Sequence, residues 1–198
     1  MYKTIDAAIM AGGRSSRMGK DKALLPFGGF GSLAEYQYRR LKRIFENVYM
    51  CSKTHKFDFD AETILDDDST SSPLAGIVSA LKRSGKDLFV LGVDMPFVDR
   101  QVIKILTERY LRTREAEDPP HIVMAESSGG KEPLCAIYSY SVMDELLERL
   151  GRGEHRLRSL DEDCRIESVL FGDAEKFANM NHPSEYEKCL EKFKKESI

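Results

Sequence analysis

The sequence predicts a three-layer α/β/α fold built on a mostly parallel sheet. Short apolar runs alternate with longer segments whose apolar residues recur at helical spacing, the pattern of strands joined by crossover helices. The run at 87–93 is almost continuously apolar, as expected for a central strand buried on both faces. Polar or glycine-rich residues follow several runs, and in a parallel sheet those ends meet at the edge where ligands bind.

The predicted strands are apolar runs bounded by polar or turn residues. They cover residues 7–10, 48–51, 62–65, 87–93, 121–125, 132–138 and 166–171. A glycine-containing turn at 126–131 joins two of these runs directly. We therefore expect one antiparallel strand, as part of a pair at the border of the sheet.

The predicted helices lie between the strands, at 33–45, 73–83, 100–114 and 141–150. A terminal helix is predicted from about Ser184, where Glu187 stands three residues on in a capping-box pattern. A basic segment at 151–158 leads into another short helix. The basic residues of the first helix are expected on its solvated side: Arg39, Arg40, Lys42 and Arg43.

Length and composition fit one domain spanning residues 1–198, with 41% hydrophobic residues to build its core. A net charge of −3 argues against a nucleic-acid or anionic membrane partner. Asp6 interrupts the N-terminus where a signal peptide is apolar, and no run approaches the ~20 residues of a membrane span. The four cysteines form no C-x-x-C pair, so we expect a reduced, cytoplasmic protein without a disulfide or zinc site.

A stretch rich in glycine and cations follows the first predicted strand and reads AGGRSSRMGKDK over residues 11–22. Two adjacent glycines allow the backbone to approach a ligand without an intervening Cβ. Bare amides and clustered cations suit a polyphosphate. The cations are Arg14, Arg17, Lys20 and Lys22.

The spacing of this stretch excludes two better-known phosphate loops. A Walker loop has four residues between its glycine and the Gly-Lys-Ser/Thr, whereas five separate Gly13 from Gly19 and Asp21 stands in the Ser/Thr position. The dinucleotide fingerprint also fails, because its later glycine is missing.

Asp94 follows the most apolar strand run and opens an Asp-Met-Pro motif. It precedes the next predicted helix, from about Arg100, by too many residues to cap it. This position places a carboxylate at the expected ligand edge of the sheet.

The motifs resemble those of Rossmann-like nucleotidyltransferases, and among them the molybdenum cofactor guanylyltransferases. The early loop matches the family pattern A-G-G, R-M-G, D-K. Four further motifs match in order: Pro-Leu-Ala-Gly at 73–76, Asp-Met-Pro at 94–96, Pro-Leu at 133–134 and Asn-Met-Asn at 179–181. The resemblance implies transfer of GMP from GTP to the phosphate of metal-loaded molybdopterin, with release of pyrophosphate and formation of the guanine dinucleotide cofactor. It also implies transient contact with proteins that deliver or accept that cofactor.

The resemblance assigns roles to particular residues. The catalytic residues would be Arg17, Lys22 and Asp94. Asp94 would bind Mg²⁺, the implied cofactor, which prefers oxygen ligands and retains waters. The nucleotide-binding residues would be Ala11, Gly12, Gly13, Arg14, Ser15, Lys22, Ser52, Asp66 and Asp94, with backbone amides of 13–16 around the β- and γ-phosphates. Asn179 and Asn181 would lie on the acceptor side.

Departures from the family pattern leave some assignments open. Ser52 or Lys53 stands where the family often has asparagine, so the choice between GTP and CTP stays undecided at this position. Gly12 favours guanine, because related cytidylyltransferases usually have A-A-G where this chain has A-G-G. Any one of Asp66, Asp67 and Asp68 matches the family's nucleotide-contacting aspartate. Glu132 replaces a frequent histidine and receives no role. A basic set either binds the pterin phosphate or is solvated: Arg152, Arg156 and Arg158.

The implied reaction does not require a general base, because a phosphate monoester with a second pKa near ~6 is already mostly dianionic at neutral pH. The four histidines indeed fit no shared catalytic motif. Two alternatives remain. One is guanylyl or cytidylyl transfer to another phosphomonoester, such as a cobamide precursor or a sugar phosphate. The other is a nucleotide-binding regulator without catalysis, which the loss of Lys22 or Asp94 would favour; both are present.

Overall fold

The computed structural model describes residues 1–12, 20–65 and 72–196. The strands in these segments are β1 (Ile5–Met10), β2 (Val48–Ser52), β3 (Glu62–Leu65), β4 (Asp87–Gly92), β5 (Ile122–Ser127), β6 (Gly130–Tyr138) and β7 (Ile166–Leu170). They form one sheet in the order β3-β2-β1-β4-β6-β5-β7. β6 is antiparallel to both of its neighbours, and the other pairings are parallel.

The antiparallel strand lies inside the sheet, so the prediction that it borders the sheet is wrong. β6 inserts between β4 and β5, and β7 forms the edge. The reason lies in the second half of β6, where residues 135–138 are fully buried. The backbone N–H and C=O groups of these residues are buried as well and need hydrogen-bond partners, which a neighbouring strand on each side supplies and an edge position does not.

The helices are α1 (Leu33–Leu41), α2 (Pro73–Ser84), α3 (Arg100–Thr113), α4 (Met143–Gly151) and α5 (Pro183–Glu196). Three of them begin at a side-chain cap: Ser32, Ser72 and Asp99 accept hydrogen bonds from Glu35, Ala75 and Val102 N–H groups. α1 is shorter than predicted, because residues 42–45 turn away to place Phe45 in a bridge with Tyr2.

The start of α5 corrects a second prediction. The helix begins at Pro183, so Ser184 lies inside its first turn and is not the cap. Glu185 takes over this role, because its Oε2 accepts hydrogen bonds from the N–H groups of Asn181 at 2.7 Å and His182 at 2.9 Å. The Asn181 bond holds the pKa of the Glu185 carboxyl below its usual value.

Helices cover both faces of the sheet, which confirms the predicted three layers. Apolar residues of α1, α3 and α5 pack on one face, and those of α2 and α4 pack on the other. β1 shows how the strands divide between these cores, since Ile5, Ala7 and Ile9 point to the first face and Ala8 to the second.

The amino edge of the sheet is held by a buried carboxylate. Asp6 accepts hydrogen bonds from Ser84 Oγ at 2.8 Å, Tyr49 Oη at 3.3 Å and Asn47 Nδ2 at 3.1 Å. Lys86 Nζ contacts it at 3.3 Å and also donates to the Lys3 carbonyl at 3.1 Å. Burial raises the pKa of Tyr49 to about 12, and the charge of Asp6 adds to the rise.

The four cysteines are buried thiols in the described segments. No helix among the described residues combines the length and the apolar character that crossing a bilayer requires.

Candidate active site

The exits of three parallel strands converge at the carboxyl edge of the sheet. Directly after β1, the Ala11 N–H donates to the Cys51 carbonyl of β2 at 2.9 Å. On the other side of β1, the Val93 N–H that follows β4 donates to the Met10 carbonyl at 3.1 Å. Side chains that follow β1, β2 and β4 therefore lie near one another, as the parallel arrangement predicts.

Asp94 lies in a tight turn at the end of β4. The Met95 N–H closes this turn on the Gly92 carbonyl at 3.2 Å, and the Met180 N–H donates to the Asp94 carbonyl at 3.2 Å. A Cβ added at Gly92 would lie 2.9 Å from Asp94 Oδ1. The glycine thus leaves the space that the carboxylate occupies.

Helix α1 supports this turn from the side. Gln37 is fully buried, and its Nε2 donates to the carbonyls of Val93 at 3.3 Å and Met95 at 3.0 Å. Arg40 donates to the carbonyls of Pro96 and Val98. The expectation that Arg40 is solvated is therefore wrong. Its guanidinium donates to two backbone carbonyls that lie outside any strand and so have no hydrogen-bond donor from the sheet.

Lys22, the last residue of the glycine- and cation-rich stretch, contacts Asp94. It is the first residue of a 3₁₀ turn, Lys22–Leu24, whose cap is Asp21; Asp21 Oδ1 accepts from the Ala23 N–H at 3.0 Å. Lys22 Nζ forms an ion pair with Asp94 Oδ2, and both side chains are only 16% exposed. The cation and the carboxylate that the sequence assigned to one site are in direct contact.

Asn181 completes this group from the segment before α5. Its Oδ1 accepts a hydrogen bond from Lys22 Nζ at 3.1 Å. Glu185 fixes the Asn181 backbone, as described above, and the neighbouring Met180 is buried in the core. Asn179 lies two residues earlier and is exposed.

The predicted nucleotide side is described in part. Ala11 is buried, and its carbonyl accepts from Lys56 Nζ at 2.8 Å. Gly12 follows it at the limit of the described segment. Ser52 is 1% exposed at the end of β2, and its Oγ has no hydrogen-bond partner among the described residues. The remaining predicted residues, Gly13, Arg14, Ser15, Arg17 and Asp66 with its alternatives Asp67 and Asp68, lie outside the described residues.

The three arginines of the basic segment that follows α4 differ in their contacts. Arg152 forms ion pairs with Glu148 at 2.9 Å, Glu154 at 3.2 Å and Asp163 at 3.0 Å. The same Asp163 pairs with the fully buried Arg149. Arg152 therefore belongs to a network that holds this segment in place. Arg156 and Arg158 are exposed, and Arg158 lines an open pocket of about 360 Å³ beside the β5–β6 hairpin.

Glu132 lies on β6 near the same edge of the sheet. Its Oε1 accepts from Ser127 Oγ at 3.1 Å across the hairpin. Burial raises the pKa of this carboxyl, and the negative charge of Asp94 adds to the rise. A second carboxylate therefore lies within electrostatic reach of Asp94.

The residues around Asp94 fit a hard divalent cation. A carboxylate oxygen and an amide oxygen approach the same ammonium group, and these are the donor types that Mg²⁺ prefers. Among the described residues no group of three or more His, Cys, Asp or Glu side chains forms a metal cage. Mg²⁺ at nucleotide sites typically uses one or two carboxylates with substrate phosphates and water, so this small donor set is sufficient.

Comparison with known proteins places the chain in a family. Residues 7–168 match the family model described as MobA-like NTP transferase domain. The chain belongs to this family. The molybdenum cofactor guanylyltransferase of Campylobacter jejuni is 31% identical over 194 residues, which cover 96% of this chain and 97% of that protein. The predicted resemblance is confirmed.

Two solved structures share the fold of this chain. Molybdopterin-guanine dinucleotide biosynthesis protein A of Archaeoglobus fulgidus matches with a TM-score of 0.80 at 23% identity, covering 96% of this chain and 99% of that one. A CMP:2-keto-3-deoxy-manno-octonic acid synthetase complexed with CTP matches with a TM-score of 0.78 at 12% identity, covering 97% and 99%. The predicted nucleotidyltransferase fold is confirmed.

Sequence reasoning missed the residues that hold the site together. Gln37 and Arg40 read as ordinary helix residues, and Lys56 reads as one cation of a polar loop. Their partners lie 35 to 58 positions away in the chain. No local spacing records such contacts.

Proposed function

We propose that this chain transfers GMP from GTP to the phosphate of metal-loaded molybdopterin and releases pyrophosphate. The observation that carries the proposal is the convergence of Lys22, Asp94 and Asn181 at the carboxyl edge of the sheet, in a chain 31% identical to a named guanylyltransferase. Both halves of the chain contribute to this group, so we infer that residues 1–198 act as one nucleotidyltransferase domain. We place the reaction in the cytoplasm, in keeping with the buried thiols.

The proposed chemistry is an in-line displacement at phosphorus. An oxygen of the acceptor phosphate forms a bond to the α-phosphorus of GTP, and the bond from that phosphorus to the α–β bridging oxygen breaks. Pyrophosphate leaves with the bond electrons. No proton has to be removed from the attacking oxygen, since the monoester is already mostly dianionic at neutral pH.

Charge control is the task left to the protein in such a reaction. Lys22 supplies a positive charge that is fixed in position by the capped 3₁₀ turn on which it stands. Because its charge is oriented before the substrate binds, it stabilises developing negative charge without reorganisation. Arg17 is proposed to hold a second phosphate oxygen pair with its forked guanidinium.

Asp94 is the residue proposed to hold Mg²⁺, with Asn181 as a neighbouring oxygen donor. The bound ion would neutralise phosphate charge and stabilise the leaving pyrophosphate. Asp94 is suited to this role because the Gly92 turn, the Met180 N–H and Lys22 fix both its backbone and its carboxylate.

Guanine recognition is proposed at the exits of β1 and β2. Gly12 favours guanine by resemblance, and the buried hydroxyl of Ser52 offers a donor or acceptor in the position where the family often has asparagine. A buried hydroxyl without a partner is costly, and a base edge that bonds to it would remove that cost. Asp66 is proposed to contact the nucleotide, and the backbone amides of 13–16 are proposed to surround the β- and γ-phosphates.

The acceptor is proposed to enter from the side of Asn179 and Asn181, at the start of α5. Transient contact with a protein that delivers molybdopterin or receives the product forms part of the proposal.

The test is pyrophosphate release with GTP, CTP, ATP or UTP, each with and without metal-loaded molybdopterin and Mg²⁺. The proposal expects release with GTP only, and only when the acceptor is present. Pyrophosphate release with CTP would show that the chain is a cytidylyltransferase. Release with GTP and a different phosphomonoester would retain the chemistry and replace the acceptor.

A further inference from the structure

Lys56 connects two residues near opposite ends of the glycine- and cation-rich stretch, Ala11 and Asp21. It lies in the segment between β2 and β3, and its side chain is 15% exposed. Its Nζ donates to the Ala11 carbonyl at 2.8 Å and forms an ion pair with Asp21 Oδ2 at 2.5 Å. Ala11 is the first residue of the glycine- and cation-rich stretch at 11–22, and Asp21 is its last residue but one. One ammonium group thus binds the chain near both ends of this stretch.

Asp21 transmits this contact to Lys22. Its Oδ1 caps the 3₁₀ turn through the Ala23 N–H, while its Oδ2 binds Lys56. Lys22 is the first residue of that turn and reaches Asp94 and Asn181. A continuous set of contacts therefore runs from Lys56 through Asp21 to the proposed phosphate-binding lysine.

We propose that Lys56 is a positioning residue for nucleotidyl transfer: by binding Ala11 and Asp21 together, it sets the position of Lys22 relative to Asp94. This inference rests on the proposed function for its effect on rate. Its effect on the 3₁₀ turn does not depend on which reaction the chain catalyses.

The geometry favours positioning over simple charge neutralisation. An ammonium group that only neutralised the charge of Asp21 would need one contact. Lys56 makes a second contact, with the backbone carbonyl of Ala11 directly after β1. A misplacement of about 1 Å at a reacting group is enough to cost about 100-fold in rate. Small changes at Lys56 should therefore appear in catalysis before they appear in stability.

Lys86 provides a matched control at the opposite edge of the sheet. Its Nζ also contacts one carbonyl, that of Lys3, and one carboxylate, that of Asp6. Lys86→Met removes the same kinds of contact as Lys56→Met, but far from the carboxyl edge. Any loss that follows merely from deleting such a lysine will appear in both variants.

The kinetic experiment compares kcat and KM for GTP in the wild type and in Lys56→Met, Lys56→Arg and Lys86→Met. Lys56→Met should lower kcat/KM by about 10- to 100-fold. Lys56→Arg should keep most of the wild-type kcat/KM, because a guanidinium can donate to both partners. Lys86→Met should leave kcat/KM unchanged. Equal losses in Lys56→Met and Lys86→Met would overturn the proposal.

A double-variant cycle tests the path through Asp21. Asp21→Asn keeps an acceptor for the Ala23 N–H and removes the ion pair with Lys56. If both residues act through one contact, Lys56→Met/Asp21→Asn should be no slower than the worse single variant. Multiplied losses would show that Lys56 does not act through Asp21.

Amide hydrogen exchange decides the proposal if the wild type proves inactive with GTP, a result that would overturn the proposed function alone. Exchange at Ala23, Leu24 and Leu25, whose N–H groups bond within the 3₁₀ turn, should become at least about tenfold faster in Lys56→Met than in Lys86→Met. Unchanged exchange at these three amides would overturn the proposal.

Discussion

The ion pair between Lys22 and Asp94 joins residues 72 positions apart and lies at the centre of the proposed site. Its two members have different tasks in the proposal, since the lysine contacts phosphate and the aspartate holds the metal ion. Replacing each residue in turn therefore has a distinct expected result.

Asp94→Ala should abolish pyrophosphate release and leave the fold intact, because its carboxylate is the proposed metal ligand. Release assays at saturating GTP and Mg²⁺, with circular dichroism as the folding check, measure this. Asp99→Ala is the control: it removes the α3 cap, at a cost of about 0.5–2 kcal/mol in stability, and should retain activity. Unchanged Mg²⁺-dependent release by Asp94→Ala would remove Asp94 from the mechanism.

Lys22→Ala should lower kcat by about 10²–10³-fold, the usual cost of losing one preorganised charge-stabilising group. Steady-state release assays measure the loss. Lys42→Ala, which deletes a lysine bonded to the Glu46 carbonyl on α1's far end, should leave the rate unchanged. A near-normal rate in Lys22→Ala would show that this lysine does not contact the phosphates.

Glu132 gives a pH-dependent prediction for stability. Its folded-state pKa is raised by burial and by Asp94, so ionisation destabilises the fold as pH rises through and beyond the unfolded value. Glu132→Gln keeps an acceptor for Ser127 and removes that charge. The variant and the wild type should have the same urea-unfolding free energy at about pH 3, where the carboxyl is protonated in both the folded and the unfolded state. At pH 7–8 the variant should have the higher unfolding free energy. A constant difference across this range would contradict the raised pKa.

At the residue scale, the sequence predicted which residues meet at the candidate site better than which residues support them. Lys22, Asp94 and Asn181 were identified because they stand in motifs, and the structure brings all three together. Gln37 and Lys56 were missed because hydrogen bonds to distant backbone carbonyls leave no mark on local sequence. The capping role of Glu185 was assigned to Ser184 and Glu187, because the same three-residue spacing recurs two positions later in the chain.

At the scale of elements, helix α1 and the exit of β4 act as one support for Asp94. Gln37→Leu should cost about 1–3 kcal/mol in unfolding free energy, because two carbonyls beside Asp94 lose their donor while remaining buried. It should also lower kcat, because the Asp94 turn loses its lateral contact. Gln101→Leu, at an exposed position of α3, is the control. Full activity in Gln37→Leu would show that α1 does not position the turn.

The ends of helices and strands were predictable where the apolar pattern and the helix-starting residues indicate the same boundary. The runs at β3 and β4 and the start of α2 at Pro73 follow from apolar pattern and a helix-starting proline. The place of β6 in the sheet was not predictable from the hairpin alone. It depends on the burial of residues 135–138 against neighbours on both sides, which only the assembled sheet defines.

At the scale of the whole molecule, membership of the MobA-like NTP transferases fixes the fold and the edge of the sheet where nucleotide is expected. The identity of the acceptor rests on fewer observations, because only two residues in the segment before α5, Asn179 and Asn181, are proposed to face it. The central claim is that the carboxyl edge, with Lys22 and Asp94 in contact, transfers a guanylyl group.

The most direct measurement follows the α-phosphate of GTP. Wild type and Asp94→Ala are incubated with Mg²⁺, metal-loaded molybdopterin and GTP labelled at the α- or the γ-phosphate. With the wild type, α-label should appear in the dinucleotide product and γ-label in pyrophosphate, whereas Asp94→Ala should give neither transfer. Label retained in GTP by the wild type, or equal transfer by Asp94→Ala, would contradict guanylyl transfer at this site.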